Sequence, residues 1–298
     1  MQTFISTLID GLSLGSLYAL VALGYSMVYG IAKMLNFAHG DVIMVGIYVL
    51  FVALGAMGTS PLMLTIAALI MIVFCALLGF TIEKLAYKPL RAASPLSVLI
   101  TAIGVSYLLQ NLALLIFGSR QQKVPTYFHL GSIYIGGVQI ELLSLLILAV
   151  TIVVMILLSI FINKTKLGSA MLAVSEDKGA AQLMGINVNA TISLTFVIGS
   201  ALAGVGALLY AAKMPWVGPY TGSVFGIKAF AAAVFGGIGS IPGAMIGGVL
   251  IGIIEAMMNV FLPDVLSNAS DGFAYLVLII MLVIKPTGLL GRKHVEKV

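Results

Sequence analysis

Charge is scarce in this chain. Asp, Glu, Lys and Arg together make up 8% of its 298 residues, against 61% hydrophobic ones. A water-soluble domain needs a charged surface, so the composition leaves no soluble domain of useful size and little room for a nucleotide-binding fold. One cysteine, Cys75, excludes an internal disulfide and reads as a small packed apolar residue. The hydrophobic runs do not alternate, which argues against a transmembrane barrel. The Gly-rich stretch Gly236-Gly237-Ile238-Gly239-Ser240 has no Lys–Ser/Thr at P-loop spacing, so it is read as close packing and a bend between half-helices. No nucleophile–base pair or metal-ligand spacing stands out, and an enzyme is not expected. Met1-Gln2-Thr3-Phe4 lacks the positive region of a secretory signal, so the first hydrophobic run is expected to stay as a span.

What is present is apolar length. Mean hydropathy is +1.18, and runs of about 20 apolar residues suit helices crossing a core of about 30 Å. Breaks between runs place spans near 4–31, 37–57, 61–82, 96–117, 140–162, 191–212, 242–262 and 271–285. The run 224–238 is short and Gly-rich, and is read as a tilted short span or a broken, partly re-entrant helix. The fold class expected is all-α: a polytopic transmembrane helix bundle of about 8–9 spans, forming one domain over 1–298. Gly243 to Gly247 and Gly248 to Gly252 have small-xxx-small spacing, which suits close helix approach within the chain or against a second one.

The net charge of +5 suits loop basic residues rather than nucleic-acid binding. Lys33, Lys84, Lys88, Arg91, Lys164, Lys166, Lys178, Lys285, Arg292, Lys293 and Lys297 fall on one side when 224–238 counts as a crossing. Arg120, Lys123 and Lys213 fall on the other. By the positive-inside rule the first side is cytoplasmic, with the N-terminus outside and the C-terminus inside.

One cytoplasmic loop, about 163–190, carries a segment suited to water. Ser175 is expected to cap a helix whose first turn holds Glu176 and Asp177, where the helix dipole favours negative charge. Lys178, Gly179, Ala180, Ala181, Gln182, Leu183 and Met184 follow, and Gly185 is the expected stop. Ala180, Leu183 and Met184 share a face. A helix of roughly 9 residues is marginal alone and needs a surface to lie against. A membrane interface is the plain alternative; the small Gly179-Ala180-Ala181 core favours a partner's groove.

Several stretches, in order, carry a resemblance. They are Gly15-Ser16-Leu17-Tyr18-Ala19-Leu20, Leu35-Asn36-Phe37-Ala38-His39-Gly40-Asp41, Ala86-Tyr87-Lys88-Pro89-Leu90-Arg91, Ile103-Gly104-Val105-Ser106, Leu109-Gln110-Asn111, and the run from Lys228 to Ala244. The chain resembles the H-type permease subunit of branched-chain amino acid ABC importers over nearly its whole length. The resemblance implies an inner-membrane importer of bacteria or archaea. Its partners would be a second homologous permease, two ABC ATPase subunits and an extracytoplasmic amino acid-binding protein. ATP-Mg would bind on the ATPases, with no cofactor in this chain. The segment ending at Gly185 would be the ATPase-coupling helix. Permeation of urea, short amides or other amino acids is the alternative within that family, and an ion-coupled secondary transporter using Asp10 or Glu255 is the alternative outside it.

Other candidates come from the residues alone. Asn36, His39 and Asp41 stand at a span entry, as a helix cap with packing or as lining of a path. Trp216 and Tyr220 suit an aromatic belt, or a gate for an outside partner. Lys228 and Glu255 are ionisable groups inside apolar runs and are expected to pair.

Overall fold

A computed structural model of the chain describes residues 2–91, 93–125, 130–135, 138–262 and 270–291. Arg292, Lys293 and Lys297 of the basic C-terminus lie outside the described residues.

Among the described residues the chain is a series of helices, most of them apolar. In order they are α1 (Gln2–Ala32), α2 (His39–Met57), α3 (Pro61–Ile82), α4 (Pro95–Phe117), α5 (Leu142–Lys164), α6 (Lys166–Glu176), α7 (Lys178–Leu183), α8 (Val188–Lys213), α9 (Thr221–Gly236), α10 (Ile241–Phe261) and α11 (Ser270–Ile284). Seven of these are long and apolar enough to cross a membrane, and the shorter apolar helices include α9. The helix starts follow the sequence chemistry. Ser94 Oγ accepts from Ser97 N at 3.2 Å ahead of Pro95, and Ser240 Oγ accepts from Gly243 N at 3.2 Å ahead of Pro242. A proline in the first turn loses no hydrogen bond, because the first N–H groups have no helical acceptor. The α3 helix continues through one π-helical turn, Glu83–Tyr87, and a 3-10 turn, Lys88–Leu90.

Among the described residues four short strands accompany the helices. They are β1 (Gln122–Lys123), β2 (Ser132–Ile135), β3 (Val138–Glu141) and β4 (Trp216–Val217). β1 pairs antiparallel with β4, and β2 with β3.

The run 224–238 is not a broken helix: α9 is continuous to Gly236. The bend comes after it, at Gly237 and Gly239, whose φ values of +105° and +92° lie in the region open mainly to glycine. α10 begins two residues later, at Ile241.

The chain divides into two compact units, Met1–Ser26 with His129–Ile156 and Lys228–Val298, and Met27–Phe128 with Leu157–Ile227. In the first unit, glycine lets backbones touch. A Cβ at Gly15 would lie 2.7 Å from Val249 Cα, and one at Gly11 would lie 2.8 Å from Ile253 Cα. Gly248 and Gly252 meet α1 at Ala19 and Gly15, whereas Gly243 and Gly247 meet α9 at Gly236 and Ala232. Both small-xxx-small pairs are therefore used inside the chain. Leu289 N and Leu290 N donate to the Phe235 and Gly236 carbonyls at 3.0 and 2.9 Å, closing the end of α9.

In the second unit α2, α3 and α8 form the core. Gly204 lies against Ile72, Gly79 against Ser200, and Gly46 against Cys75, whose Sγ donates to Val42 O at 3.7 Å. Tyr48 stacks on Phe117 with ring centroids 4.1 Å apart. Leu77 and Leu115 are exposed, as expected of helices that meet lipid.

Candidate functional site

The water-suited loop is two helices. Thr165 caps α6, its Oγ1 accepting from Gly168 N at 3.0 Å. Gly168 sits against the Phe161 and Ile162 carbonyls, where a Cβ has no room, so the chain turns sharply out of α5. The second cap is Asp177. Its backbone is extended, and its Oδ1 accepts from Gly179 N at 2.7 Å and Ala180 N at 2.9 Å. The expected Ser175 cap is thus corrected. Ser175 lies inside α6 and donates to Leu172 O at 2.7 Å, and Glu176 is the last residue of α6 rather than the first turn of the next helix. Asp177 answers two orphan amides at once, which fixes the break there.

α7 ends as expected. Gly185 has φ +81°, and Ile186 N donates back to Ala181 O at 3.0 Å. Ala181 is buried, while Leu183 and Met184 are 90% and 82% exposed. The helix therefore presents two large apolar side chains outward. Lys178 Nζ donates to Ala32 O, the last residue of α1, at 3.3 Å. Burial holds the Lys178 ammonium below its ordinary pKa, and the charges of Arg91 and Lys33 add to the effect.

Asn36, His39 and Asp41 do not converge. Asn36 is not the cap of α2: Ala38 stands at that position and makes no side-chain bond. Asn36 Oδ1 instead accepts from the Tyr87 hydroxyl at 3.0 Å. His39 is buried at the first residue of α2. Asp41, also buried, accepts from the Ser106 hydroxyl and from Gln110 Nε2 at 3.2 Å, tying α2 to α4. Trp216 lies in β4 opposite Lys123, whose ammonium is 5.8 Å from the indole ring centroid. Trp216 and Tyr220 are half exposed.

Lys228 and Glu255 are brought together, Nζ to Oε1 at 2.9 Å, and Tyr18 donates to Oε2 at 2.8 Å. All three lie in the first unit. Among the described residues no group of three His, Cys, Asp or Glu side chains is placed to hold a metal ion.

A further ionic cluster escaped the sequence reading. Glu83, fully buried, pairs with Arg91 and accepts from Ser193 Oγ at 2.6 Å, while Arg91 also donates to Asn189 Oδ1. The available signal was a lone carboxylate at a span end with an arginine eight residues on; the π turn between them changes the register that a regular helix would impose.

The family described as branched-chain amino acid transport system / permease component matches residues 7–283. The high-affinity branched-chain amino acid transport system permease protein BraD of Pseudomonas aeruginosa is 46% identical over 305 residues, covering 99% of this chain and 98% of that protein. LivH of Escherichia coli strain K12, named likewise as such a permease, is 44% identical with the same coverage of 99% and 98%. A probable LivH of Methanocaldococcus jannaschii is 32% identical over 290 residues, covering 93% and 89%. No solved structure matches the chain significantly.

Proposed function

The chain belongs to the family of permease components of branched-chain amino acid transport systems, and from that premise we propose that it is the membrane subunit of an ATP-driven importer of aliphatic amino acids. It sits in the cytoplasmic membrane of its cell, N-terminus outside, in support of which stands the distribution of its basic residues. Its partners are a second homologous permease, two ABC ATPase subunits that bind ATP-Mg, and an extracytoplasmic binding protein. Hydrolysis belongs to the ATPases; this chain moves.

The observation that carries the reading is α7. A helix of 6 residues, capped at both ends, holds Leu183 and Met184 out at 90% and 82% exposure. Large apolar side chains held rigidly outside a lipid-facing surface suit a groove on a soluble partner. Its other face is fastened through Ala181 and through the Lys178 bond to the end of α1. A push on α7 therefore reaches a membrane helix without first bending a loop.

The test is affinity purification from gently solubilised membranes. The wild-type chain is expected to bring down two P-loop ATPases and a second hydrophobic chain. Leu183→Asp with Met184→Asp is expected to lose the ATPases while keeping the second permease and normal membrane levels. Undiminished ATPase recovery overturns the role given to α7. Uptake competition by leucine, isoleucine and valine, but not urea, checks the substrate.

A further inference from the structure

A cleft of about 480 Å³ opens between the end of α3 and the start of α8, within the second unit. One wall carries Phe80, Lys84 and Lys88, spaced four apart. The other carries Val197, Leu194 and Asn189. Arg91 bridges the two walls, bonding Glu83 on one and Asn189 on the other, which brings the polar ends of both to the same end of the cleft. Both walls therefore run from apolar to polar in the same direction. Phe80, Leu194 and Val197 lie on the span side, and Lys84, Lys88 and Asn189 lie where the spans end.

The charge inside the cleft is one-sided. Glu83 contributes a carboxylate, but Arg91 balances it and Ser193 occupies its second oxygen. Among the described residues neither Lys84 nor Lys88 is in an ion pair. Lys84 lies over the Phe80 ring, 5.6 Å from its centroid, so the ammonium stands at the boundary between the apolar and polar parts. Asn189 lines the cleft and its Oδ1 is engaged by Arg91, which leaves the amide N–H groups as its remaining donors. An apolar slot at membrane depth that ends in two ammonium groups and an amide complements one kind of molecule: an acyl chain joined to an anionic phosphodiester.

The geometry points to a binding site for an anionic phospholipid, with its phosphate between Lys84, Lys88 and Asn189 and an acyl chain along Phe80, Leu194 and Val197. Binding there reinforces the seam between α3 and α8 from the lipid side. The lipid site does not depend on the transport function, and either can fail without the other.

The transporter, purified in detergent from membranes containing phosphatidylglycerol and phosphatidylethanolamine, is assayed for retained lipid by mass spectrometry. Wild type is expected to be enriched in phosphatidylglycerol. Lys84→Gln with Lys88→Gln lowers that enrichment about thirtyfold, since each lysine near an anionic headgroup is worth about fivefold, and Lys84→Arg with Lys88→Arg keeps it. Asn189→Asp is a second variant that retains an acceptor for Arg91 while placing a negative charge in the cleft, and it also loses the enrichment. No enrichment in wild type, or enrichment unchanged in either the double-glutamine variant or Asn189→Asp, overturns the site. Displacement of the lipid by inorganic phosphate at millimolar concentration overturns the lipid as occupant in favour of a free phosphate.

Discussion

Lys228 and Glu255 form an ion pair across α9 and α10, with 2.9 Å between Nζ and Oε1, and the Tyr18 hydroxyl on α1 closes the other carboxylate oxygen at 2.8 Å. Residues from three helices are thus joined at one carboxylate within the first unit. Glycines at the same helices let the backbones come close enough for short bonds: Gly248 and Gly252 face α1, and Gly243 and Gly247 face α9. Small residues bring the helices together, and the buried charges fix their register.

Breaking such a pair from one side leaves a charge in a poor solvent. Lys228→Glu and Glu255→Lys are each expected to destabilise the purified protein by about 3–5 kcal/mol, the scale for an uncompensated buried charge. The double reversal restores opposite charges and is expected to recover part of that loss. Thermal denaturation in detergent, read as a double-mutant cycle, measures it. Losses that simply add, with no recovery, would mean the two side chains do not act as a pair.

Gly15 tests the close approach of α1 and α10. A Cβ there would lie 2.7 Å from both Val249 Cα and Val249 O, and backbone has little freedom to retreat. Gly15→Val is expected to cost about 1–3 kcal/mol or more through overpacking. Gly104 has nothing near its missing Cβ, so Gly104→Ala is the matched control and should leave the melting temperature nearly unchanged. Equal melting of the two variants contradicts this packing.

Much of this was legible in the sequence. Spans were legible because apolar length is a direct requirement of the bilayer, and α2 and α4 end where the runs do. The Lys228–Glu255 contact was legible because an apolar half with two opposite charges offers few other partners. The break between α6 and α7 was not. Ser175 and Asp177 are both good caps two residues apart, and only the path of the chain selects the one whose oxygen reaches two amides. The helix Lys166–Glu176 did not stand out from the loop 163–190 because Gly168, in its first turn, is a poor helix former. Gly168 is in fact required by the contact with Phe161 and Ile162. Glu83 was hidden for a different reason. Its partners Arg91 and Ser193 come from a π turn and from a helix 110 positions away, which no local pattern connects.

Asp177 caps α7 with its side chain and serves both Gly179 N and Ala180 N. Asp177→Ala is expected to cost about 1 kcal/mol of helix stability, while Asp177→Asn or Asp177→Ser keeps most of it. A helix of 6 residues has little reserve. The alanine variant should therefore lose ATPase recovery and uptake as temperature rises, with membrane levels unchanged and the serine variant resembling wild type. Proteolysis confined to the α6–α7 loop of the alanine variant supplies a second measurement. If alanine and serine behave alike, the cap does not hold the segment in place.

Asp41 separates packing from a role in the path. The carboxylate is fully buried in α2 and receives Ser106 and Gln110 from α4. Its surroundings are hydrogen-bond donors rather than an open channel, so the prediction follows the tie between helices. Asp41→Asn keeps an acceptor oxygen for one donor and should preserve membrane levels and most uptake. Asp41→Leu leaves two donors unanswered, which costs about 1–3 kcal/mol for each unsatisfied group, and should lower melting temperature and uptake together. Ser106→Ala with Gln110→Leu removes those donors and should lessen the damage done by Asp41→Leu, because fewer polar groups then remain unsatisfied. A stable Asp41→Asn protein that has lost uptake would instead assign the charge itself to transport.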